Sequence, residues 1–396
     1  MATQPKPLVQ HESEDSPRPS LPHPEYFLWA PVAFIPLTYL FSSKHPNVFS
    51  SACILSLVPL LKIVDLCLRD IARSHPRLVA VFSAGNILQQ MVAIHALHQC
   101  QLQLIPMLVV GWILCSNLLC YGGYLLATGK PITQGRPLVV HQLRIILMWS
   151  FSCHFIISLS TYRLSEDTIS PRLRTDPLGT SRALALLCLV LGLYVCFRPP
   201  ANANPDGADH DQNSSVGYPA ELLVTHNVFP AYIGFTYSAT SVVLAVALIA
   251  MYHASRHLFS ASLHLLSLNM RMEVIGGLIL PLTMTCLVTL ANTPNLTVNW
   301  LAESERGAST FLFLFPMIVL LGVTSMNKPL PMILEPTSSF VLFLGGFVFT
   351  SIEYQEPLRF ARLSGCAVIV VYCGLLAYLF QADPTPEIPV LSLPCV

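Results

Sequence analysis

The sequence predicts an all-α fold: a polytopic integral membrane bundle of about ten spanning helices, within a range of roughly 8 to 11. Three observations carry this. Charged residues make up 11% of the chain and hydrophobic ones 53%, whereas a soluble domain carries about 25% charged residues. Apolar runs follow one another along nearly the whole length. One stretch, Met270 to Thr297, proposes both a span and its direction. Val274 to Ala291 carries no charge, Arg271 precedes it, and the sequon Asn295-Leu296-Thr297 follows. Arginine stays on the cytoplasmic side, and an acceptor asparagine is glycosylated only in the lumen.

Residues 1–24 are polar and Pro-rich, too poor in apolar surface to offset the entropy of ordering; they are expected to be a disordered cytoplasmic tail. No apolar run follows a basic start within them, so they are not a signal peptide. Residues 25–385 form the multi-pass domain, and 386–396 a short C-terminal tail. The candidate segments lie near 27–43, 48–67, 78–97, 102–127, 145–160, 181–197, 230–251, 274–291, 309–326, 338–352 and 363–381. Residues 199–228, rich in Pro, Gly, Asn and Asp, read as a lumenal loop.

Two sequons, at Asn213 and Asn295, fix the parity, because both acceptors must face the lumen. If every segment crosses, Lys62, Arg69, Arg73, Arg77, Lys130 and Arg136 become lumenal, against the positive-inside rule. The 145–160 run is short, follows His141 and Arg144, and is broken by His154 and several serines. If residues 139–160 lie in the interface or re-enter, only Lys44, Arg198, Arg306, Arg359 and Arg362 of the 21 lysines and arginines are lumenal. The sequence therefore predicts ten spans with both termini cytoplasmic, in the endoplasmic reticulum membrane.

Ionisable groups at membrane depth are functional candidates. They are Asp65 and Asp70 at the cytoplasmic end of the second run, His154 within WSFSCHFIISL, and Glu273 at the start of the eighth span. Asp65 and Asp70 are about 140° apart on a helix and do not form one carboxylate pair. Each has an ordinary reading as well: surface ion pairs for the aspartates, an internal hydrogen bond for His154, and a helix-dipole contact for Glu273. Glu353 is the lumenal counterpart. His253, His257 and His264 share one helical face, expected to be a basic amphipathic surface helix. The loop motif DGADHD offers oxygen and nitrogen ligands but reads as acidic and flexible, so no metal and no cofactor are assigned. Cys115, Cys120, Cys153, Cys188, Cys286, Cys366 and Cys373 lie in apolar runs and read as small hydrophobes.

Absences narrow the chemistry. The chain has no P-loop, HExxH, GxSxG, GxGxxG, DDxxD or paired His. Net charge is +0, which leaves no electrostatic footprint for nucleic acid. No internal repeat is visible in the sequence.

The polar tail, short loops and scattered membrane-edge acids resemble the polytopic membrane proteins of fungal secondary-metabolite clusters, those of indole-diterpene pathways of the paxilline and aflatrem type. The resemblance implies work on a prenylated, water-insoluble molecule, beside other membrane-bound pathway enzymes. In a cyclase of that kind Glu273 or Asp65 would donate the proton, with Trp149, Phe151 and Tyr162 near the cation. Three readings follow: a terpenoid-biosynthetic or accessory activity, a transporter of a small hydrophobic metabolite, and a non-catalytic scaffold.

Overall fold

A bilayer core holds no water to bond an exposed amide, so each crossing segment must close its hydrogen bonds internally, and helices do so. The computed structural model describes residues 46–74, 84–129, 138–166, 177–197, 237–291, 300, 303–304, 307–324, 330, 332, 334–353 and 360–381; within these, the side chains of 69–70, 72–74, 84–85, 138–143, 161–166, 177–178, 195–197, 237–239 and 353 are not described. Every regular element within these residues is helical. The main helices are α1 (Pro46–Ser74), α2 (Ala84–His98), α3 (Leu104–Thr128), α4 (Leu138–Glu166), α5 (Pro177–Phe197), α6 (Tyr237–Ser267), α7 (Met272–Ala291), α8 (Gly307–Thr324), α9 (Pro336–Glu353) and α10 (Ala361–Gln381). The candidate span at 27–43, both tails, the 199–228 loop and both sequons lie outside the described residues.

Six of these helices are long and apolar enough to cross a membrane: α1, α3, α6, α7, α8 and α10; α4, α5 and α9 carry shorter apolar stretches. Their outward faces suit lipid. On α6, Val242, Val246 and Ile249 are all more than 60% exposed, and their spacing puts them on one stripe. The interior is held by α3, whose Trp112, Leu118, Tyr121 and Leu125 are fully buried. The chain is thus an all-α, multi-pass membrane protein.

The irregular segment expected at 139–160 is corrected: these residues belong to the single, unbroken 29-residue helix α4, about 43 Å long at 1.5 Å per residue. Its polar residues do not interrupt it because they bond along it. Ser152 donates to the Met148 carbonyl at 2.9 Å and Nδ1 of His154 to the Ser150 carbonyl at 3.1 Å. The apolar part of α4, residues 144–160, remains shorter than the six spans. The separate surface helix expected at His253–His264 is also corrected: it is the continuation of the 31-residue α6.

A non-helical stretch precedes α9. Leu330, Met332 and Leu334 are buried there, and neighbouring serines satisfy their backbone. The Met332 N–H donates to Ser181 Oγ, and Ser158 Oγ donates to the Leu334 carbonyl at 2.7 Å. Ser339 Oγ reaches the same carbonyl at a longer 3.4 Å. Ser158→Ala should therefore cost about 1 kcal/mol and lower the Tm of the detergent-solubilised protein; an unchanged Tm would mean the Ser158 bond contributes nothing.

Three described helices end in left-handed caps, α3 at Gly129 and two at non-glycine residues. Cys100 (φ 58°) closes α2 with Gln101 N–H donating to the Ala96 carbonyl, and Asn269 (φ 63°) closes α6 with Met270 N–H donating to Leu265. Cys100 is disulfide-bonded, whereas the seven cysteines of the apolar runs are free thiols.

The helix contacts repeat. The pair α1–α6 packs along its length, and so does α4–α9. The contact of α2 with α6 is matched by α7 with α1, α3 with α10 by α8 with α5, α4 with α5 by α9 with α10, and α2 with α8 by α7 with α3. Exchanging α1–α5 for α6–α10 leaves these pairs unchanged, while α3–α9, α2–α3 and α7–α10 have no counterpart of similar extent. A structural repeat is present although the sequence displays none.

Candidate functional site

The repeat places two equivalent crossings at the centre, α2 with α8 and α3 with α7, and the sequence has built them differently. At α2–α8 the crossing is polar. Asn86 and Gln89 are one turn apart, on one face of α2, and both are buried. Asn86 Nδ2 donates to Ser309 Oγ at 2.7 Å, and Thr310 Oγ1 donates to Gln89 Oε1 at 3.1 Å. Thr310 opens a π-helical turn, Thr310–Leu314, and a second such turn, Cys115–Cys120, carries buried Asn117 on α3. Single π turns inside α-helices frequently mark functional sites. Asn117 lies against Gly307, where any Cβ would collide with its amide. Glu303 and Ser304 are buried in the turn before Gly307, and Glu303 is the one carboxylate among the described residues that is more than nine-tenths buried.

At α3–α7 the crossing is sealed by backbone. A Cβ on Gly111 would lie 2.6 Å from the Gly277 carbonyl oxygen and 2.8 Å from that of Gly276. A Cβ on Gly276 would lie 2.9 Å from the Met107 Cβ. Small residues let membrane helices approach this closely, where dispersion replaces the absent hydrophobic drive. A third π turn, Ile275–Ile279, runs through this contact.

The residues singled out from sequence fall elsewhere and do not converge. Asp65 is half-buried on α1, and the Asp70 side chain is not described. Glu273 opens α7 and lies 4.0 Å from Arg271 Nε at a partly exposed end. The aromatic lining implied by the cyclase resemblance separates: Trp149 is 68% exposed on the outer face of α4, whereas Phe151 is buried. Two residues apart on a helix is about 200°, so one cavity cannot hold both rings. His253 and His264 are exposed, and His257 packs edge-on against Phe49 at 5.2 Å. No three His, Cys, Asp or Glu side chains come together among the described residues.

His154 alone of the candidates reaches the centre. It is buried on α4, with its ring 4.9 Å from Phe311, the residue after Thr310 on the same π turn. The four residues of the polar crossing were missed because only ionisable groups were sought. The signal was present: Asn86 and Gln89 are amides at helical spacing in the apolar run 78–97.

No family model matches the sequence, and no curated protein matches it. Solved structures do. Native YfkE superposes with a TM-score of 0.62 at 12% identity, covering 90% of this chain and 99% of that one. The selenium-substituted Ca2+/H+ antiporter protein YfkE gives 0.62 at 13% identity, covering 90% and 100%. The H+/Ca2+ exchanger CAX gives 0.52 at 11% identity, covering 90% and 95%. The likeness is one of fold. It spans nearly the whole of each of those chains.

Proposed function

We propose that the chain is a membrane transporter whose cargo passes the α2–α8 crossing. The observation that carries this reading is the buried amide and hydroxyl cluster of Asn86, Gln89, Ser309 and Thr310, set between the two repeats and beside a π turn. Transporters built from internal repeats bind cargo at such a junction, on interrupted helices. Each repeat has five helices; two five-span units joined on one side of the membrane run in opposite senses, as alternating access uses. The likeness to proteins titled as Ca2+/H+ exchangers supports transport over terpenoid biosynthesis.

The cargo follows from the ligands. A divalent cation is held by several carboxylates, whereas the four hydrogen-bonded residues of this crossing are neutral and Glu303 is the one buried carboxylate described near it. Neutral oxygens can strip and replace the hydration shell of a monovalent cation. The reading is therefore a monovalent-cation transporter rather than a carrier of the apolar metabolite expected from sequence. The test is tracer uptake by proteoliposomes carrying the full chain. Na+ or Rb+ should accumulate down an opposing pH gradient, and Ca2+ should not. Uptake of Ca2+ alone would overturn the cargo, and uptake of none would overturn the transporter itself.

A further inference from the structure

We propose that His154 is the proton-carrying residue of this transporter, accepting a proton on Nε2 and passing the event to the α2–α8 crossing through Phe311. The proposal rests on the transport reading. Nδ1 lies 3.1 Å from the Ser150 carbonyl, which can only accept, so Nδ1 bears the hydrogen and Nε2 presents its lone pair inward. Nε2 has no hydrogen-bond partner, although the residue is 97% buried. A buried acceptor left unpaired costs about 1–3 kcal/mol, and such a group is kept where it has a task.

The surroundings are arranged for a proton and not for another ion. The Met332 backbone lies within reach of the ring. Once Nε2 gains a proton it becomes a donor, and the Met332 carbonyl is the acceptor at hand. Phe311 stands 4.9 Å away, packed in turn on Phe151 at 4.8 Å and Phe315 at 6.2 Å. The His154 and Phe311 rings meet at 74°, edge to face, so a charge gained by the imidazole is felt by Phe311. Among the described side chains the titratable neighbours are few. From α5 they are buried Cys188 and exposed Arg182, from the 330–335 segment half-exposed Glu335, and from α4 itself exposed Cys153 and, about three turns away, Arg144. The described residues of α8 include no titratable side chain. Among the described residues no charged group acts on the ring, so its proton is not shared with a fixed partner.

Coupling is geometric. Phe311 follows Thr310, whose hydroxyl holds Gln89 of α2. Drawing the imidazolium toward Met332 shifts its contact with Phe311 and hence the π turn that aims Thr310. One proton taken up on one side and released on the other would then be exchanged against one cation leaving the crossing.

The experiment uses the full chain in two preparations. In lipid nanodiscs, nitrogen NMR of histidine-labelled protein is followed from acid to alkaline pH, and the His154 signal is identified by its absence in His154→Asn. Asparagine keeps a donor for the Ser150 carbonyl and removes the titrating nitrogen. Nε2 should pass between its bare and protonated shifts. In proteoliposomes holding a pH dye, Na+ or K+ pulses should change internal pH in the wild type. In His154→Asn that change should fall to the level of empty vesicles while tracer cation exchange persists. A ring that stays neutral throughout, or full cation-driven pH change in His154→Asn, overturns the proposal and leaves the transporter standing. Absence of any cation movement in the wild type overturns both.

Discussion

Gly111→Val is expected to prevent the bundle from assembling. A Cβ at Gly111 already meets two carbonyl oxygens of α7, at 2.6 and 2.8 Å, and Pro281 Cγ at 2.7 Å. These are backbone and ring atoms, with no flexible side chain to swing aside. Overpacking a close-packed interior costs about 1–3 kcal/mol when side chains can adjust, and here α3 and α7 must separate instead. α3 holds much of the buried core, so the damage would spread to every helix it touches. Size-exclusion profiles and thermal melting in detergent are the check. Gly111→Val should elute as aggregate or melt far below the wild type. The same change at Gly374, where an added Cβ meets nothing within 4 Å, should be tolerated. A well-folded Gly111→Val protein would mean that the close approach of α3 and α7 is dispensable.

Asn86→Leu should do the reverse: keep the fold and remove the activity. Leucine keeps the branching and heavy-atom count of asparagine, though with more bulk, and interhelical hydrogen bonds in membrane proteins average only about 0.6 kcal/mol. The melting temperature should move little. The cost falls on binding, because Ser309 Oγ loses its donor at 2.7 Å and the cargo loses an amide oxygen at the crossing. Tracer uptake of Na+ or Rb+ should drop at least about tenfold, the effect of losing roughly 1.4 kcal/mol of cargo interaction. If uptake survives while stability falls, the crossing is a structural staple and the cargo passes elsewhere.

The spans were legible because the bilayer leaves few choices. A run such as 363–381 has no internal alternative to a helix, and α10 occupies Ala361–Gln381. α4 was misread for a definite reason. Ser150, Ser152, His154 and Ser158 lower its hydropathy, which suggests a break. Yet Ser152 and His154 bond to carbonyls one turn back and Ser158 bonds to the stretch before α9. Such back-bonding satisfies a hydroxyl without ending a helix. The repeat was illegible because it survives in which helices touch and not in which residues do so. One crossing became Asn86, Gln89, Ser309 and Thr310, and its counterpart became Gly111, Gly276 and Gly277. The candidate site escaped notice because its members are neutral. A search limited to charge finds Asp65 and Glu273 at the periphery, and only His154 near the centre.

Each of the three π turns among the described residues is a surplus residue folded into a helix, like a wrinkle in a carpet. One added residue turns everything beyond it by about 100° about the axis, so in α3, α7 and α8 the side chains on either side of the wrinkle face directions that an unbroken α-helix of the same sequence would not give them.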